Sequence, residues 1–174
     1  MSPATNSMTL IKSPSSRIIY LCLFSACTLL MAVALYMEHV MALEPCPLCI
    51  MQRVMVIVVG AIALLATLHG PTKMGIQIYG GLVVAAALGG GFLSGRQLWL
   101  QSLPADEVPA CGPSLDYLMD VFPLTDVLSI VLSGDGSCAE VAWSLFGISI
   151  PGWTLLGFIG LLAVGAWQIL QPKI

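Results

Sequence analysis

The sequence predicts an all-α integral membrane protein: a four-helix bundle with both termini cytoplasmic and two outer loops, the second carrying short amphipathic helices. Three observations carry that reading. Of the 174 residues, 58% are hydrophobic and 9% charged, with a mean hydropathy of +0.97, whereas a soluble domain has about 25% charged residues. Four stretches are long and apolar enough to cross a bilayer. The basic residues outside those stretches cluster on one side of the membrane that the spans define. The same composition excludes a disordered chain. It also excludes a nucleic-acid binder, because six Lys and Arg build no basic patch. Six cysteines in this length are too dilute for a small disulfide scaffold.

A helix rising about 1.5 Å per residue needs about 20 apolar residues to cross a hydrocarbon core of about 30 Å. The first span, residues 18–37, contains no charge, and the second, 50–68, has only Gln52 and Arg53 at its start. The third, 76–100, is uncharged up to Leu93 and then passes through Arg96, and the last, 153–170, follows a Pro151-Gly152 break. Tyr20, Tyr36, Trp153 and Trp167 sit near span ends, as interfacial aromatics do. Lys12, Arg17 and Ala32-Val33-Ala34 also suit a cleavable leader, but the apolar run continues to Met37, longer than the usual core of about 7–15 residues. The expectation is one membrane domain over 1–174.

Orientation follows from the positive-inside rule. Lys12, Arg17, Lys73 and Lys173 all fall on one side, which is therefore cytoplasmic. The outer loops are 38–49 and 101–150. The longer one has no Lys or Arg but seven acids: Asp106, Glu107, Asp116, Asp120, Asp126, Asp135 and Glu140. Leu115, Leu118, Met119 and Phe122, and after Pro123 Leu124, Val127, Leu128 and Val131, recur at helical spacing and predict two short amphipathic helices on the membrane surface. Gly134-Asp135-Gly136 reads as a turn that ends them.

Topology sorts the six cysteines. Cys22 and Cys27 lie inside the first span and read as small apolar packing residues. Cys46, Cys49, Cys111 and Cys138 face outward, where a periplasm would let disulfides persist. Four cysteines allow three connectivities, and sequence alone selects none. At the start of a helix, the Cys46-Pro47-Leu48-Cys49 spacing fits the Cα separation of about 4.4–6.8 Å that a disulfide needs. The helix N-terminus lowers a cysteine pKa there. If that pair forms, Cys111 and Cys138, with 26 residues between them, remain for the second. A four-cysteine zinc site competes, but the second pair is not closely spaced and an oxidising compartment opposes thiolate ligands. Purely structural bridges compete too, although closing so short a loop stabilises little.

Arg53 lies one helical turn after Cys49 on the same face. An arginine at a membrane boundary is a functional candidate by default, and this one is placed to support negative charge on Cys49. Arg96 at the outer end of the third span is a weaker candidate. The Gly89-Gly90-Gly91 run and the Gly91-x-x-x-Gly95 spacing suit close helix packing. His39 and His69 fall at opposite faces, which disfavours a shared haem.

The segments Glu44-Pro45-Cys46-Pro47-Leu48-Cys49-Ile50-Met51-Gln52-Arg53, Gly95-Arg96-Gln97-Leu98, Ser133 to Glu140 and Gly147 to Trp153 resemble the disulfide bond formation protein B family of Gram-negative bacteria. The resemblance spans about Ile18 to Pro172. It implies an inner-membrane, multi-pass thiol:quinone oxidoreductase that reoxidises a periplasmic dithiol oxidant, disulfide bond formation protein A. Two electrons would pass to a bound quinone (ubiquinone, with menaquinone the alternative) and through the quinol to the respiratory chain. It further implies redox disulfides Cys46–Cys49 and Cys111–Cys138, with Cys111 receiving the partner's attack. Cys49 would stand beside the quinone with Arg53 supporting its charge, and no metal would be required. Some members carry a histidine where this chain reads Leu100-Gln101-Ser102, and an acid at Gln52. For that protein A the established potential is about −120 mV, against about −270 mV for a thioredoxin-type pair. An uphill transfer of about 150 mV costs about 7 kcal/mol, so an acceptor of higher potential must draw the electrons. Two other readings remain: a membrane disulfide reductase resembling vitamin K epoxide reductase, and a structural subunit braced by its bridges.

Overall fold

The computed structural model describes residues 15–104, 106–110, 112 and 115–170. Among the described residues, four helices are long and apolar enough to cross a membrane: α1 (Ser16–His39), α2 (Pro47–His69), α3 (Lys73–Gln101) and α7 (Ile150–Leu170). Between α3 and α7 lie α4 (Leu115–Val121), α5 (Leu124–Ser133), α6 (Gly136–Ala139) and a two-stranded hairpin, β1 (Ser144–Leu145) with β2 (Ile148–Ser149). The chain is thus the all-α four-helix membrane bundle that its composition predicts. Lys12, Cys111 and Lys173 lie outside the described residues.

Each boundary has a local cause. Cys46 caps α2 in an extended conformation and Pro47 follows as the first helical residue, where a missing N–H costs nothing. Gly70, left-handed at φ 58°, ends α2, a conformation that lacks steric penalty only without a Cβ. Pro151 falls in the first turn of α7, so this helix starts before the Pro-Gly pair rather than after it.

Short connections make α1, α2 and α3 alternate in direction. The C-termini of α1 and α3 therefore share one end of the bundle with the N-termini of α2 and α7. α3 packs most extensively on α7 and also on α2, while α1 packs on α2. Gly90 sets the α3–α7 approach, because a Cβ there would overlap the Phe158 ring. Gly95, in contrast, has open space beside it, so the Gly91–Gly95 spacing is not the contact that brings these helices together.

Among the described residues, the bundle has two apolar cores. One, within the spans, includes Tyr20, Val59, Ala63, Val83, Ala87 and Phe158. Tyr20 is buried, and its hydroxyl donates to the Ile76 carbonyl at 2.9 Å. It is therefore an internal strut rather than an interfacial aromatic. The other core, at the loop end, joins Leu48, Leu93 and Leu100 to Leu118, Val127, Val131 and Cys138. The amphipathic pattern of the long loop is thus used: α4 and α5 turn Leu118, Val127 and Val131 onto the bundle and leave Met119, Leu124 and Leu128 exposed. Leu29, Leu68 and Phe92 line the outside, as a lipid-facing surface requires.

Candidate functional site

The α2 N-terminus organises the site. The Cys46 sulfur accepts from the Cys49 backbone N–H at 3.4 Å, and the two sulfurs are 2.7 Å apart. Both are free thiols here. Cys49, Gln52, Arg53 and Val56 recur along one face of α2 and line a cleft of ≈ 1030 Å³, counted with its open mouth. Its other walls are Leu30, Met31 and Ala34 of α1 and Phe158 and Leu161 of α7. The cleft occupies the gap that α1 leaves by closing on α2. It is apolar along its length and polar at the thiol end, the pattern of a small-molecule site.

Cys138 reaches the same place from the long loop. The turn expected at Gly134-Asp135-Gly136 ends α5, with Gly134 as its C-cap, and leads straight into α6: the Asp135 carboxylate accepts from the Cys138 backbone N–H at 3.3 Å and from the Ser137 hydroxyl at 2.5 Å. That cap holds Cys138, fully buried, in the apolar cluster against which Cys46 packs. Hydrogen bonding to Cys138, then to Cys49, together with burial, pushes the Cys46 thiol up. The bond from Cys46 pulls the Cys138 thiol down; burial opposes this and backbone N–H groups at Asp135 and Leu48 add to it. Cys46 is therefore the proton holder and Cys138 the more acidic thiol. Ala110 accepts from the Gly136 N–H at 3.4 Å, and Gly112 lies against the Asp135 side chain. Both neighbours of position 111 thus rest beside α6.

Arg53 points to α1, where it pairs with Glu38 and donates to the Ala34 carbonyl at 3.3 Å. Its charge borders the thiol cleft, and among the described residues it makes no hydrogen bond to sulfur. Arg96 is engaged elsewhere, donating to the Ser133 carbonyl at 3.1 Å and stacking 4.3 Å from the Trp99 ring. Cys27 packs against Gly60 and Cys22 is exposed on α1, both away from this site.

Sequence reasoning missed the amides. Gln97 of α3 donates from Nε2 to both Cys46 and Cys49 sulfurs at 3.2 Å. Gln52 Nε2 donates to Gln97 Oε1 at 2.7 Å, and the Thr154 hydroxyl donates to Gln52 Oε1 at 2.8 Å. Gln101 accepts from the Ser149 hydroxyl at 2.8 Å, tying α3 to β2. The available signal was the presence of glutamines inside apolar helices, where an unpaired amide costs about 1–3 kcal/mol.

A family model described as disulfide bond formation protein DsbB matches residues 16–168. Among similar curated proteins, disulfide bond formation protein B of Saccharophagus degradans is 48% identical, over 94% of this chain and 99% of its own length. That of Marinobacter nauticus is 53% identical over 90% of this chain and 94% of its own. Disulfide bond formation protein B 1 of Pseudomonas aeruginosa is 46% identical over 90% and 96%.

Proposed function

This chain belongs to the DsbB family of disulfide bond formation membrane proteins, and from that premise we propose that it is a thiol:quinone oxidoreductase of the bacterial inner membrane. In this reading 1–174 is one membrane domain, the termini are cytoplasmic and the thiol end faces the periplasm. The electron donor is a periplasmic dithiol oxidant of the disulfide bond formation protein A type. The observation that carries the proposal is the position of Cys46 and Cys49 at the polar end of an apolar cleft between α1, α2 and α7.

The cleft suits a quinone. Its apolar walls match an isoprenoid tail, and Cys49, Arg53 and Gln52 gather at the end where a polar ring would lie. A bound quinone supplies a high-potential acceptor for two electrons and two protons, becoming a quinol. All other steps belong to the chain's own cysteines. The partner's thiolate opens a Cys111–Cys138 disulfide by attack on Cys111, and the partner's second thiol resolves the mixed disulfide, leaving Cys111 and Cys138 reduced. Cys138 thiolate then attacks Cys46 of a Cys46–Cys49 disulfide and releases Cys49 thiolate. Cys111 attacks Cys138, restoring their bridge and releasing Cys46. Two electrons have then moved to the Cys46/Cys49 pair, which returns to the disulfide as it gives them up. The packing of Cys46 against the cluster that holds Cys138 supports the middle step, and the packing of Ala110 and Gly112 beside α6 supports the first bridge.

The purified protein, given reduced partner and a soluble ubiquinone analogue, is expected to oxidise the partner in proportion to quinone consumed. Cys49→Ser is expected to abolish that turnover, and robust turnover in this variant would overturn the relay. In cells, the four thiols should shift toward the reduced form when quinone is depleted. Bridges that merely brace the loops would stay oxidised.

A further inference from the structure

We infer that Gln97 is a further catalytic residue of the thiol pair, its side-chain amide stabilising negative charge on whichever of Cys46 and Cys49 is released. The inference rests on the reading above that these cysteines form the membrane-proximal redox pair.

Gln97 Nε2 lies 3.2 Å from each sulfur, so its two N–H groups span the bond that breaks and re-forms. Its Oε1 lies 3.6 Å from the Cys49 sulfur, where it accepts from the protonated thiol. One amide therefore serves both protonation states of Cys49: oxygen for the thiol, nitrogen for the thiolate. The amide's orientation is set by the network behind it. Gln52 Nε2 donates to Gln97 Oε1, and Thr154 donates to Gln52 Oε1, so turning Gln97 over would set two N–H groups against each other. Gln52 and Gln97 are each only 3% exposed, which leaves little water to substitute for either. Arg53, the other candidate for stabilising charge, directs its hydrogen bonds to Glu38 and Ala34 instead. A disulfide sulfur is a weak acceptor and a thiolate a strong one. Gln97 thus favours the reduced pair over the disulfide and raises the potential at which the pair accepts electrons. Gln52 and Thr154 act through it as positioning residues.

Gln97→Met keeps the length and burial of the side chain but removes the donor. With Cys111 and Cys138 replaced by Ser, the full-length protein is equilibrated against thiol–disulfide buffers, and the oxidised fraction of Cys46–Cys49 is read by alkylation. Loss of a charge-assisted hydrogen bond changes such an equilibrium by about tenfold, so Gln97→Met is expected to lower the potential by about 30 mV, the equivalent for a two-electron couple. Thr154→Val is expected to move it the same way by less. An unchanged potential in Gln97→Met overturns the assignment; if that variant does not fold, an unchanged potential in Thr154→Val does so. Quinone turnover by the four-cysteine protein separates the two readings. Turnover present with an unmoved potential refutes the role of Gln97 alone, whereas absent turnover refutes the relay and this inference with it.

Discussion

Arg53 and Glu38 form an ion pair that ties α2 to α1 beside the thiol cleft. The pair fixes where the guanidinium sits, one helical turn beyond Cys49, and a second bond to the Ala34 carbonyl holds it there. The two partners are 22% and 31% exposed, so solvent screens the pair and it adds little to stability.

That weak structural role allows a clean separation of effects. Arg53→Gln is expected to raise the apparent quinone KM by roughly tenfold, the scale of one charge-assisted hydrogen bond, with only a small change in thermal stability. Glu38→Gln should leave the cation in the cleft and change KM less. Steady-state kinetics with a soluble quinone, alongside melting in detergent, measure both. An unchanged KM in Arg53→Gln would remove its assigned role.

The bundle was legible because crossing a membrane demands long apolar runs, and charges confined to particular loops are easy to read. The boundaries moved outward for local reasons. Glu38 and His39 extend α1 rather than start a loop, and Lys73 to Gly75 already belong to α3 after its Thr72 cap. The β1–β2 hairpin was hidden because its two-residue turn places Phe146 at φ 53° ahead of Gly147 at φ 78°, and Phe is not a residue that signals that conformation. Cys46, Cys49 and Arg53 were legible from spacing. The approach of Cys138 to Cys46 was not, since it depends on how α4 to α6 fold back onto Leu48 and Leu100. Gln52 and Gln97 carry no charge, so they lack the signal by which an ion inside an apolar span stands out as functional.

Gly90 and Phe158 offer a test of the packing that shapes the cleft. Gly90→Ala places a methyl group into the Phe158 ring, and overpacking of this kind costs about 1–3 kcal/mol. Phe158 also lines the cleft, so its displacement should raise the quinone KM as well as lower stability. Phe158→Ala alone is expected to cost about 3–5 kcal/mol. The double variant should be more stable than the sum of the single effects predicts, because the ring that the new methyl would strike is gone. Additive losses in melting experiments would show that the two residues do not share this contact.

Asp135 caps α6 and fixes Cys138. Asp135→Ala is expected to cost about 1 kcal/mol, the usual loss for an N-cap, and to slow electron transfer from the partner more than it slows reduction of Cys46–Cys49 by a small dithiol. Rapid-mixing measurements with each reductant distinguish the two. Equal slowing with both would place the effect on the whole bundle instead.

The Cys46–Cys138 contact makes a pH prediction whose sign follows from the direction of the two shifts. Cys138 is held below the ordinary thiol value of 9.0 chiefly by the hydrogen bond from Cys46. Its thiolate, and any stability that comes from the lowered value, is therefore complete above the unfolded pKa and is lost as pH falls through the folded one. Exchange onto Cys46 should be independent of pH above that folded value and fall about tenfold per unit below it. Removing Cys46 removes the main cause of the lowering and leaves burial, which pushes the thiol up, opposed only by the backbone N–H groups at Asp135 and Leu48. In a protein whose other cysteines are replaced, ultraviolet titration of Cys138 thiolate should give a higher midpoint with Cys46→Ala than with Cys46 present. An equal midpoint would mean that the two sulfurs are not hydrogen-bonded, and the route from the long loop to α2 would have to begin elsewhere.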